Sequence, residues 1–303
     1  MRFARTTSAC AALLLAGSAA AQPPGITMEE IMRQLPLEGA PLAVPGNYTV
    51  ASGPAYGAER YVVFRPAELD AFPSADTLPV VVWGNGGCAI DGTRYGEFLG
   101  TIASHGFLVM TTVAIEGEGQ RQQSVDDLRG ALDWAAAENN RSGSALRGKV
   151  DTSSMAVMGQ SCGGFLSVML GADPRVGTIG VFNSGLQPPG GDGGTARFGN
   201  TDALAELHGP VLFINGHEVD FMMAASRDNF ERIDHQPTFY GARENAGHTA
   251  TVFHPGGGEY ANVASNWLRY VFKDDAAAGG MFTGAACSLC TNPNWDTASK
   301  GLD

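Results

Sequence analysis

The chain has 303 residues, 44% of them hydrophobic, and a formal net charge of -12. That length is enough for one large core, which suits a single domain or a domain with a short tail. The acidic balance argues against nucleic acid as a partner and says little else, because it also keeps an exported protein in solution.

The chain opens with Arg2 and Arg5, runs through the small and apolar stretch Ser8–Ala20, and reaches Ala19-Ala20-Ala21 before Gln22. This pattern predicts a cleaved signal peptide over residues 1–21 and a folded domain over 22–303, with a cysteine-containing tail from about 274. The stretch is shorter than the ~20 residues a spanning helix needs. The protein is therefore expected to be secreted or periplasmic, with no membrane anchor. Cys10 leaves with the leader, so Cys88, Cys162, Cys287 and Cys290 remain. An even count in an oxidising compartment permits two disulfides, and sequence alone does not choose among the three pairings.

Short runs rich in Val, Ile and Phe recur along the chain. Eight strands are predicted: Tyr48–Ala51, Arg60–Arg65, Leu78–Trp83, Phe107–Thr112, Met155–Met158, Thr178–Phe182, Val211–Ile214 and Thr238–Tyr240. Between them, Tyr95–Ser104, Ser124–Glu138, Gly164–Leu170, Phe221–Ile233 and Glu259–Phe272 carry apolar residues at helical spacing. In the second of these, Val125, Leu128, Leu132 and Ala135 line one side, which is a core-facing stripe. The alternation predicts an α/β fold, a mainly parallel sheet with helices on both faces. The Gly- and Pro-rich stretch 185–200 reads as a surface loop too short for a large lid.

Residues 158–164 read Met-Gly-Gln-Ser-Cys-Gly-Gly. They follow the apolar run Met155–Met158 and open a helix-like stretch, which makes Ser161 a candidate nucleophile on a tight strand-turn-helix elbow. Gly159 and Gly163 would supply the missing side chains that such a turn demands. The bare G-x-S-x-G pattern carries little weight in a chain with 41 glycines. Its partners must carry the argument.

The strand ending at Ile214 leads into Asn215-Gly216-His217-Glu218-Val219-Asp220, at the edge of the sheet where open α/β proteins place their sites. Asp220 is the candidate acid and Glu218 the reserve. After the last strand, Glu244-Asn245-Ala246-Gly247-His248-Thr249 forms a polar loop that would deliver His248 as the base. The order Ser161, Asp220, His248 is that of α/β-hydrolases. Taken singly, Asp220 could instead cap a helix starting at Phe221, and His248 could be a loop histidine bonded to backbone. The other five histidines have no comparable placement.

Trp83-Gly84-Asn85-Gly86-Gly87-Cys88 follows the apolar run Val80–Val82. Its glycines allow backbone N–H groups to face a ligand closely. By position the N–H of Asn85, or that of Gly86, would join that of Cys162 in an oxyanion hole; the competing reading is a flexible turn. The same fold would bring Cys88 near Cys162, which predicts a Cys88–Cys162 disulfide bracing this loop and leaves Cys287 to pair with Cys290. A redox or zinc role for Cys287-x-x-Cys290 lacks a thioredoxin-like setting and a second ligand pair. Trp83 could wall an acyl pocket or pack in the core, and Met222 and Met223 could line the cleft or pack under it.

Together the elbow, the segment Gly216–Asp220, Gly247-His248 and the ending from Asn266-Trp267 through Asp274-Asp275 to Cys290-Thr291-Asn292-Pro293-Asn294 resemble the α/β-hydrolase superfamily. Within it the chain is similar to secreted polyester hydrolases, cutinases and dienelactone-hydrolase-like esterases over most of residues 45–295. The resemblance implies catalytic roles for Ser161, Asp220 and His248 and oxyanion roles for Asn85 and Cys162. It also implies an aromatic clamp, yet the corresponding stretches read Asn183-Ser184-Gly185 and Gly84-Asn85-Gly86, which argues against aromatic polyesters as substrates. The elbow departs as well, with Gln160 and Cys162 in place of the family's usual Trp or His and Met. The expected reaction is hydrolysis of a small or polymeric carboxylic ester through an acyl-enzyme, with no metal or organic cofactor, by a monomer. A serine peptidase or amidase, and a non-catalytic binding protein on the same scaffold, are the alternatives.

Overall fold

The computed structural model describes residues 37, 40–70, 77–117, 121–187 and 201–302. The expected leader and residues 188–200 of the Gly- and Pro-rich stretch lie outside the described residues. The strands are β1 (Val50–Ala55), β2 (Ala58–Pro66), β3 (Leu78–Gly84), β4 (Leu108–Thr112), β5 (Val150–Gln160), β6 (Val176–Phe182), β7 (Val211–Gly216), β8 (Thr238–Arg243) and β9 (Trp295–Lys300). They form one sheet in the order β1-β2-β4-β3-β5-β6-β7-β8-β9. From β4 through β8 every pairing is parallel, while β1, β2 and β9 add antiparallel edges.

Successive side chains of the central strands alternate between two buried faces. Val80 and Val82 join one apolar cluster with Leu128, Leu132 and Leu166, whereas Val81 and Trp83 join the other with Phe98, Ile102 and Trp267. Helices α1 (Gly96–Ser104) and α5 (Gly258–Lys273) therefore cover one face, and α2 (Val125–Asn140), α3 (Cys162–Leu170) and α4 (Met223–Arg232) the other. Strands covered on both faces are what near-continuous apolar runs specify. A short α6 (Ala276–Gly279) follows α5. Among the described residues no helix is long and apolar enough to cross a membrane.

Among the described residues the sheet has nine strands where eight are predicted. The ninth falls in the expected tail: Trp-Asp-Thr-Ala-Ser-Lys pairs antiparallel with β8 from Arg243↔Trp295 to Thr238↔Lys300. Its composition is polar because it is an edge strand, anchored by a few residues only. Trp295 is buried and donates its indole N–H to Glu259 Oε1 at 2.8 Å, while Arg243 Nε donates to Glu259 Oε2 at 2.7 Å. At the far end Lys300 Nζ donates to the carbonyls of Phe230, Glu231 and Ile233 at the end of α4, where a cation complements the helix dipole.

Helix α2 begins with a reciprocal capping box between Ser124 and Asp127. The Asp127 carboxylate also accepts two bonds from Arg121, at 2.7 and 2.9 Å. Burial alone would raise its pKa, but these bonds outweigh it and hold the carboxyl below its ordinary value of 3.8. A group depressed in this way stabilises the fold above its unfolded pKa and loses that contribution as pH falls through its native one. Asp127→Asn should thus cost roughly 1–2 kcal/mol near neutral pH. Thermal melts of the two proteins should converge as the pH drops below 3.8; an offset constant with pH would contradict the argument.

Candidate active site

The site is built around a backbone that most residues avoid. β5 ends at Gln160, and Ser161 adopts φ 54° and ψ -121° before α3 starts at Cys162. Such a conformation costs a non-glycine residue about 1–3 kcal/mol. Close packing makes room for it: a Cβ on Gly159 would lie 2.4 Å from the Gly163 carbonyl carbon, and one on Gly163 would lie 2.0 Å from that of Gly84. The two elbow glycines are legible in the motif, and Gly84 at the end of β3 completes the contact. The Ser161 N–H donates to Phe182 O at 2.9 Å, and Ser184 Oγ donates to Ser161 O at 2.6 Å.

The structure brings Ser161, Asp220 and His248 together. His248 Nε2 lies 2.9 Å from Ser161 Oγ, and Nδ1 lies 2.9 Å from Asp220 Oδ1. An ionised carboxylate only accepts, so Nδ1 carries the proton and Nε2 is free to accept the serine hydroxyl. The side chain of Asp220 has no exposure and that of His248 only 5%. Gly216 permits this approach, since a Cβ there would lie 2.0 Å from Ala246 O on the base loop. Glu218, the reserve acid, is exposed. Asp220 also caps the following turn, its Oδ1 accepting from Met222 N–H at 3.1 Å. Helix α4 itself begins at Met223, two residues beyond the expected Phe221.

Asp220 has a further partner that the sequence does not single out. Asn183, at the end of β6, sits at φ 47° and donates its side-chain amide to Asp220 Oδ2 at 2.7 Å. The Gly216 N–H reaches the same oxygen at 3.2 Å. Asparagine tolerates the left-handed region better than most residues, and the N–H of Asn183 bonds Ile214 O at 2.7 Å to fix the turn. Tyr260 is buried in this neighbourhood; burial first, and then the Asp220 charge, push its phenol well above the ordinary value, so it stays neutral. Phe221 packs against His248 with the rings tilted by 32° and their centroids 4.1 Å apart.

The glycine loop corrects one assignment. Asn85 is fully buried and its N–H donates to Gln123 Oε1 at 2.7 Å, so it does not face a substrate. Its side chain is engaged as well, with Ala89 O, Thr112 Oγ1 and Thr111 Oγ1. The Gly86 N–H also turns inward, to the Tyr95 hydroxyl at 2.9 Å. Asn85 is thus the post that holds the loop. Cys162 opens α3 beside Ser161, and helix-opening N–H groups lack intrahelical acceptors.

Cys88 and Cys162 stand at disulfide distance with Cα atoms 5.2 Å apart, and Cys287 and Cys290 likewise at 5.1 Å. Trp83 is core, with no exposure and tilted against Tyr95, Phe98 and Phe182. Met222 is buried and Met223 half-buried. Among the other histidines, His105 and His235 bond backbone carbonyls and His217 faces Glu244. Among the described residues no group of three or more His, Cys, Asp or Glu side chains could hold a metal ion.

A mainly parallel sheet, with a strained serine between a strand and a helix at its edge, defines an α/β-hydrolase. A family model described as PETase, PET hydrolase-like, matches residues 81–179, and the chain resembles that polyester hydrolase family there. The matched stretch includes the glycine loop and Ser161 but neither Asp220 nor His248. No curated protein matches the chain. Fold and family match together support an ester-hydrolysing serine hydrolase.

Two measurements check this geometry. A non-reduced digest should yield linked peptides containing Cys88 and Cys162; free thiols at both would contradict the pairing. Replacing Asn183 with Ala removes a hydrogen bond to a charge, worth about 1.5–3 kcal/mol, so ester turnover should fall roughly 10- to 100-fold. Unchanged turnover would show that Asp220 needs no such support.

Proposed function

We propose that this protein is an exported serine esterase that cleaves carboxylic esters through an acyl-enzyme. Ser161 attacks the carbonyl while His248 accepts its proton. His248 then gives that proton to the leaving alcohol and activates water for the second half of the cycle. Asp220 fixes the imidazole tautomer and balances the charge that develops on it. The observation that carries this reading is the single imidazole set 2.9 Å from both the Ser161 hydroxyl and the Asp220 carboxylate.

The residues beside the triad support a narrower substrate class. Where the family resemblance implies an aromatic clamp, this chain has buried Asn183 and Ser184 and a glycine loop. Among the described residues, the aromatic ring that contacts the His248 imidazole is Phe221, half-buried beside Asp220. A single such ring among the described residues favours aliphatic or short acyl esters over aromatic polyesters held on two faces. Two cysteine pairs and a positively charged, apolar N-terminus support export.

Replacing Ser161 with Ala should lower kcat on a short p-nitrophenyl ester by at least about 10⁴-fold. A fluorophosphonate probe should label the unmodified protein and not the variant. Turnover of peptide anilides exceeding that of esters would move the reading to an amidase, and a folded protein that neither labels nor turns over would mark a binding protein.

A further inference from the structure

The two residues flanking the proposed nucleophile are both departures from the family's usual elbow, and both lead to the same place. Cys162 is joined to Cys88 on the glycine loop. Gln160, only 3% exposed, donates its amide to the His248 carbonyl at 3.0 Å and accepts from the Tyr95 hydroxyl at 3.0 Å. Tyr95 in turn accepts the Gly86 N–H at 2.9 Å. One side chain beneath Ser161 therefore ties the base loop to the glycine loop. The fit is tight: a Cβ on Gly86 would lie 2.1 Å from Gln160 Oε1 and 2.7 Å from the Tyr95 hydroxyl.

A loop of Gly84-Asn85-Gly86-Gly87 has much conformational freedom to lose, and a preorganised oxyanion site needs it lost before substrate arrives. In it and directly after it, the N–H groups of Asn85, Gly86, Cys88 and Ala89 already have acceptors in the protein. Of the other two, Gly84 is buried as the last residue of β3, whereas Gly87 is exposed at φ 66°. We propose that Gly87 N–H is the second oxyanion donor beside Cys162 N–H, and that Gln160 is a positioning residue which, through Tyr95, holds the loop in the donating arrangement. This rests on the esterase reading above. Burial raises the Tyr95 phenol above its ordinary value, so it remains a neutral donor to Gln160.

Interactions aimed at the oxyanion act on the transition state and leave ground-state binding alone. For Gln160→Met, and separately Tyr95→Phe, kcat on a p-nitrophenyl ester should fall about 10- to 100-fold with KM within twofold, a smaller loss than deletion of a whole donor. Affinity for an alkyl boronic acid, whose serine adduct is tetrahedral, should fall in step. Tyr95→Phe removes one oxygen and gives the same readout should Gln160→Met fail to fold. For either variant, a kcat within twofold of the unmodified protein, a change in KM alone or unaltered boronic acid affinity would overturn the proposal. An unmodified protein with no ester turnover would remove the esterase reading and this one together, whereas active variants beside an active parent would remove this one alone.

Discussion

A serine backbone held at φ 54° is the constraint on which the site depends. The conformation is unfavourable in itself, and it persists because the surroundings over-determine it. β6 supplies an acceptor for the Ser161 N–H and, through Ser184, a donor for its carbonyl. Gly84, Gly159 and Gly163 let three backbones meet at distances that no side chain would allow. With that turn fixed, the hydroxyl stands clear of the sheet and α3 starts directly beside it.

Everything else arrives at the same edge of the sheet. β7 and β8 run parallel to β5, so the segments following them deliver Asp220 and His248 to the side where β5 delivers Ser161. The carboxylate is buried and accepts from His248, Asn183 and two backbone N–H groups. Fixed donors of this kind replace the water that burial removes. The result is a charged group with little freedom to reorient, which is what an imidazole needs if one tautomer is to be kept.

Much of this is legible in the sequence where one residue type answers one physical demand. Alternating apolar runs mark the buried strands, and the chain order of serine, acid and histidine marks their meeting point. The ninth strand is not legible, because an edge strand such as Trp295–Lys300 needs few apolar residues and its partners lie far away along the chain. Asn85 misleads for a related reason. Its place after β3 suits an oxyanion donor, but its side chain and its N–H satisfy Gln123, Thr111 and Thr112 instead, pairings that only the folded sheet creates. Asn183 and Gln160 carry a weak signal, each a polar residue at the inner end of a buried strand. Read that way, either marks a side chain whose partners must be inside the protein.

The central claim is that the Ser161 hydroxyl forms a covalent acyl-enzyme. Rapid mixing with an activated ester, quenching in acid and peptide mapping by mass spectrometry test it most directly. The account predicts the acyl group on the peptide containing Ser161, formed and lost at rates consistent with turnover. Turnover with the acyl group on another residue, or with no covalent adduct at any mixing time short enough to trap one, would contradict it.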